Sequence, residues 1–232
     1  MSTRIEIPTR DASMPADIHA PASGSGPGIV LLQEIFGISD YITRRATDLA
    51  DLGYVVLVPQ IYWRLGVRDV PAGPSMLEDA MALVGSLDWD LAVEDARAAI
   101  AELPSRPEVR GGVGVVGFCF GGGLGYAAVA DHPADALVSF YGSALPDLVH
   151  AVPSVSTPSL HLFGESDAYI PLETVERIRA GVTSGDAPAE VLTYPGADHA
   201  FDNDEFVNHD PEASRQAWSA ATEWLGDRLP TG

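Results

Sequence analysis

The sequence predicts an α/β fold, a mostly parallel central sheet with helices on both faces. Three observations predict it. Unbroken Val/Ile/Leu-rich runs of strand length alternate with longer segments of helical periodicity, the pattern of parallel strands buried on both faces. One such run, Val113 to Phe118, ends in a glycine-rich turn carrying Cys119 and passes directly into a small-residue helical segment. Two later runs each end in a polar loop, the first holding Asp167 and the second His199.

Taken in order, Gly28 to Gln33 reads as a buried strand. Asp40 to Leu52 places Ile42, Ala46, Leu49 and Ala50 at helical spacing, and Gly53 stops the helix. Tyr54 to Val58 is the next strand, closed by Pro59. A loop over 71–75 leads to a helix from Met76, and Trp89 to Leu103 reads as another with Leu91, Ala92, Ala96, Ala99 and Ile100 on one face. The strand and helix around Cys119 follow, then strand Ala136 to Tyr141, strand Ser159 to Gly164 and a helix from Leu172 to Gly181. Strand Glu190 to Tyr194 precedes a terminal helix from Pro211 to about Leu229. Internal repeats and linkers are not evident, so one domain over residues 1–232 is expected.

Cys119 lies in Gly117-Phe118-Cys119-Phe120-Gly121-Gly122. A strand that turns sharply into a helix needs glycines where a Cβ would strike the crossing backbone, and a nucleophile at the apex is exposed for attack. The order nucleophile 119, acid 167, histidine 199 is that of the α/β-hydrolase fold. Taken singly, each residue has a plainer reading. Cys119 could be a small buried hydrophobe, Asp167 a helix cap before Pro171, and His199 a loop residue.

Composition narrows the chemistry. The net charge is −20, and all 13 basic residues are Arg. A chain without lysine has no Schiff-base amine, no pyridoxal-phosphate anchor and no phosphate-loop lysine. So acidic a surface is a poor partner for nucleic acid. A single cysteine excludes an internal disulfide. Apolar runs stay short of the ~18 residues of a membrane helix, and the first residues lack the apolar stretch of a secretory signal. A cytoplasmic protein without membrane attachment, monomeric or weakly self-associating, is expected. The run Asp202-Asn203-Asp204 with His209 and Asp210 fits no metal-ligand spacing and reads as a solvated acidic loop.

Five segments together resemble the dienelactone hydrolase family: Gln33-Glu34-Ile35-Phe36-Gly37, Pro59 to Trp63, Gly117 to Gly122, Asp167, and His199-Ala200-Phe201. The resemblance runs from about Gly28 to Leu225. It implies an α/β-hydrolase without a cofactor that cleaves a small ester or lactone through a Cys–His–Asp triad. Cys119 is then the nucleophile, His199 the base and later acid, and Asp167 the carboxylate that orients it. The backbone N–H groups of Ile35 and Phe120 are implied as the oxyanion hole. Glu34 is implied to touch the resting thiol, although an acidic chain also carries many solvated loop carboxylates. Phe36, Tyr62, Trp63, Tyr141 and Phe201 are candidate pocket residues, or else packing beneath the loops. The resemblance also implies two arginines that grip a substrate carboxylate. Neither of their stretches holds one here, which leaves Arg64 and Arg68 as substitutes and makes a carboxylated substrate an unexpected one. A general short-chain carboxylesterase and a non-catalytic binding protein of the same fold remain as alternatives.

Overall fold

The computed structural model describes residues 2–151 and 155–232. Eight strands form one sheet in the order β1-β2-β4-β3-β5-β6-β7-β8. These are β1 (Ser2–Pro8), β2 (Ser13–His19), β3 (Gly26–Leu32), β4 (Val55–Pro59), β5 (Val109–Phe118), β6 (Ala136–Phe140), β7 (Ser159–Gly164) and β8 (Ala189–Tyr194). From β4 to β8 every pairing is parallel, whereas β1 and β2 add an antiparallel edge.

Alternate residues of β3 serve opposite faces. Ile29 and Leu31 pack with α1 (Asp40–Asp51) and α7 (Pro211–Arg228). Val30 and Leu32 pack with α3 (Trp89–Glu102), α4 (Phe120–Asp131) and α6 (Leu172–Val182). Both faces are thus covered, which is why these strands read as unbroken apolar runs. Two further helices, α2 (Met76–Gly85) and α5 (Leu145–Ala151), belong to the connections.

The expected elements recur within a residue or two of their sequence bounds, except that β5 begins at Val109, four residues before the expected Val113. The β1–β2 hairpin is an addition. It escapes the sequence because β1 is an edge strand whose residues are almost all solvent-facing, with Ile7 its one buried side chain. Parallel topology sets the loops after β3, β5, β6, β7 and β8 at one end of the sheet, where a ligand crevice is expected in open α/β sheets.

Candidate active site

Cys119 joins β5 to α4 with φ 52° and ψ −115°. Such backbone is strained for any residue with a Cβ. The glycines around it are obligatory. A Cβ on Gly117 would lie 2.1 Å from the Gly121 carbonyl oxygen, and one on Gly121 would lie 2.4 Å from that of Leu32. The turn presents the Cys119 thiol to the end of the sheet where β7 and β8 deliver the acid and the histidine.

There the three side chains form one hydrogen-bonded line. His199 Nε2 is 3.1 Å from Cys119 Sγ, and His199 Nδ1 is 2.8 Å from Asp167 Oδ2. The second oxygen of Asp167 accepts the backbone N–H groups of Tyr169 and Ile170, each at 2.8 Å. Asp167 therefore orders its own turn, but it does not cap α6, whose N-cap position is Pro171. Burial opposes charge on His199, yet its contacts with Asp167 and Cys119 outweigh that and push it up to about 10. A proton accepted by His199 is thus met by partners already in place.

The N–H of Phe120 opens α4 and has no acceptor within the helix. Ile35 N–H is likewise without a partner among the described residues. The carbonyl of Ile35 is fixed by the Tyr62 hydroxyl, which donates to it at 2.9 Å.

Glu34 lies just past β3 and is fully buried. It accepts a hydrogen bond from Asn203 Nδ2 at 2.7 Å and a long one from the Tyr141 hydroxyl at 3.5 Å. Among the described residues its hydrogen-bond partners are Asn203 and Tyr141 and not Cys119, although Glu34 and Cys119 line the same cavity. Burial pushes Glu34 up to about 7, against the pull of Asn203 and His199. Behind it, Tyr41 Oη sits 3.4 Å from Tyr141 Oη and donates to Asp202 at 2.5 Å. Asp202 is buried, gripped through both oxygens by Arg45 at 2.7 and 2.9 Å and bonded to the Ser214 hydroxyl. The acidic loop is therefore only partly solvated. Asp202 and Asn203 point inward, while Asp204 stays outside with Arg44.

A cavity of about 300 Å³ opens onto Cys119 and His199. Glu34, Ile35, Phe36 and Phe120 line it as the sequence suggests. Leu77, Met81 and Val84 of α2, together with Tyr169, Ile170 and Phe206, complete it. The sequence reading passed over these; the i, i+4, i+7 spacing of the α2 residues was the available signal.

Four candidates have other duties. Arg64 donates to both oxygens of Asp95, at 2.9 and 3.0 Å, and to Asp11 at 2.8 Å, so its guanidinium is already ion-paired. Trp63 donates to the same Asp95 and stacks under the Arg64 guanidinium. Phe201 is buried between Tyr141 and Tyr194. Tyr62 packs beneath Phe120. Tyr141 is also fully buried and reaches the site only through its hydroxyl and the ring that flanks His199 at 5.2 Å.

Residues 14–229 match the dienelactone hydrolase family. The chain belongs to that family. Among curated dienelactone hydrolase relatives, it is 33% identical over 219 residues to the carboxymethylenebutenolidase of Pseudomonas sp. (strain P51), covering 94% of this chain and 91% of the relative. It is 30% identical over 228 residues to carboxymethylenebutenolidase 1 of Cupriavidus pinatubonensis (strain JMP 134 / LMG 1197), covering 97% of each. A crystal structure from Klebsiella pneumoniae subsp. pneumoniae MGH 78578, assigned to the dienelactone hydrolases, superposes with a TM-score of 0.83 at 27% identity, over 97% of this chain and 98% of that one. A dienelactone hydrolase-like promiscuous phosphotriesterase, P91, from metagenomic libraries shares the fold with a TM-score of 0.82 at 24% identity, over 99% and 98% of the two chains. The α/β-hydrolase fold of the family is thus the fold of this chain.

Proposed function

We propose that the protein hydrolyses a small, uncharged ester or lactone through a covalent thioacyl-enzyme on Cys119. The observation that carries this reading is the unbroken line Cys119–His199–Asp167, with contacts of 3.1 and 2.8 Å, at the floor of a cavity. His199 takes the thiol proton as Cys119 Sγ bonds to the substrate carbonyl carbon. Asp167 fixes the imidazole tautomer and supports the imidazolium. The free N–H groups of Ile35 and Phe120 are placed to receive the oxyanion. Collapse of the tetrahedral species breaks the carbon–oxygen bond, and His199 returns its proton to the departing alkoxide. Water, deprotonated by His199, then cleaves the thioester, releasing the acid and restoring the thiol.

A reduced thiol is essential to this chemistry, which suits the cytoplasm. A carboxylated substrate is disfavoured, because Asn203 and the ion-paired Arg64 offer it no free cation.

The test is turnover of a short-chain nitrophenyl ester by Cys119→Ala and His199→Ala. Each loses ~10³-fold or more, and the double variant loses little beyond either. Mass spectrometry of the rapidly quenched wild type finds one acyl adduct, on Cys119. Near-normal turnover by Cys119→Ala refutes the covalent route.

A further inference from the structure

Beside the Cys119 cavity lies a second and larger one, of about 620 Å³, and Phe36 and Phe206 form part of the wall of both. Their rings lean on each other with centroids 5.8 Å apart. The two chambers differ in chemistry. On the Cys119 side, α2 and the turn after Asp167 supply Leu77, Met81, Val84, Tyr169 and Ile170. Three of these are left in water at its mouth, with Leu77 41%, Met81 54% and Tyr169 69% exposed. Of α2 only Ala80 is buried, packing with Phe36 and Val70, while Leu77, Met81 and Val84 line the cavity. The second chamber adds Ser39, Asp40, Thr43, Arg68, Asp69, Asn203 and Glu205 to an apolar wall that includes Ile38, Val70 and Met76.

Charge decides what that second chamber accepts. Arg68 is the one cation among its described lining residues, and its guanidinium already donates to Asp17 at 2.7 Å and lies 4.0 Å from Asp69. Glu205 is neutralised by Arg44. Asp40 and Asp69 remain, so an entering anion meets net negative charge while hydroxyl or ammonium groups meet acceptors.

We infer that the substrate is a two-ended ester, with an apolar arm lodged under α2 and a neutral, hydroxylated arm reaching past Phe36 and Phe206 into the chamber of Ser39, Thr43 and Asp69. This rests on the ester-hydrolase reading above and adds the substrate class to it. The ester bond lies at Cys119 in the smaller cavity, and the polar arm passes the two shared wall residues, Phe36 and Phe206. Each methylene added to the apolar arm gains about fourfold in kcat/KM until the chamber is full.

The experiment measures kcat/KM of the purified enzyme for butyl butanoate, 2,3-dihydroxypropyl butanoate, butyl 2,3-dihydroxypropanoate and carboxymethyl butanoate. The two dihydroxy esters present the polar arm from either side of the bond. One of them is expected to exceed both butyl butanoate and carboxymethyl butanoate by about tenfold. Thr43→Phe, which fills the polar chamber, should abolish the preference, bringing that ester down to the level of butyl butanoate measured on the same variant. Asp40→Arg with Asp69→Arg should raise carboxymethyl butanoate about tenfold or more. A panel in which neither dihydroxy ester is preferred, or a preference that survives Thr43→Phe, overturns the inference while ester hydrolysis itself stands. If no ester is cleaved above the Cys119→Ala background, the hydrolase reading falls and takes the inference with it.

Discussion

Glu34 offers the sharpest quantitative test, because burial gives its carboxyl two very different affinities for a proton. Unfolded, it titrates near its ordinary value of 4.5; folded, it is pushed up to about 7. Between those pH values the unfolded chain has lost a proton that the folded chain keeps. Stability therefore falls as pH rises through this window and levels off above it. A shift of that size corresponds to about 3 kcal/mol. Glu34→Gln removes the titration while keeping the shape: the amide oxygen can still accept from Asn203 and the amide N–H₂ can face the Tyr141 hydroxyl. The assay is urea denaturation of both proteins from pH 4.5 to 8.5. The expected result is a difference curve in which the Gln variant gains about 3 kcal/mol on wild type between the two ends. Titrations that do not touch Glu34 cancel in that difference, and His199, whose charge pulls on Glu34, cancels only in part. His199, raised to about 10, loses stability as pH climbs above 6.5 in both proteins, and His161, held by burial at about 3, loses it as pH falls below 6.5 in both. Parallel curves would refute the reasoning and mean that Asn203 alone offsets the burial of a charged Glu34.

Arg45→Met strands Asp202 in the interior without its cation and should cost about 3–5 kcal/mol in urea unfolding, much of it recovered in Arg45→Met/Asp202→Asn. Gly117→Ala should abolish the folded state, because its methyl meets the Gly121 carbonyl. Gly226→Ala in α7 meets nothing within 4 Å and should gain about 0.5–1 kcal/mol; thermal melts read both. Arg64→Ala should leave kcat/KM for a neutral ester unchanged while lowering the melting temperature, since Asp95 loses its ion pair; a selective loss of turnover would return Arg64 to the substrate.

What could be read from the chain was local. The glycines at 117 and 121 encode the turn that carries Cys119, because the fold tolerates no Cβ there, and strand-end loops announce Asp167 and His199 by their place in the order. What could not be read was pairing at a distance. Glu34 and Asn203 stand 169 residues apart, and Arg45 and Asp202 stand 157 apart. In an acidic segment nothing local marks Asp202 as the one that turns inward. The partner of Arg64 is hidden for the same reason: nothing near it in sequence marks Asp95, in α3, as the buried carboxylate that pairs with it.

Three residues other than glycine have positive φ among those described: Cys119 at 52°, Tyr141 at 39° and Ala200 at 60°. One follows β5, one follows β6 and one follows His199, so all of them frame the same hydrogen-bonded line. Each such backbone costs on the order of 1–3 kcal/mol. Glycine at 200 would relax the backbone and lose only a methyl group, but it would loosen the peptide that aims His199. Tyr141 differs: its ring is fully buried against Phe118, Phe140 and Phe201, so glycine there would lose more in packing than the relaxed backbone returns. The chain's resistance to heat is therefore held down at Ala200 by the fixity of its reacting atoms, and Ala200→Gly should raise the melting temperature while turnover falls.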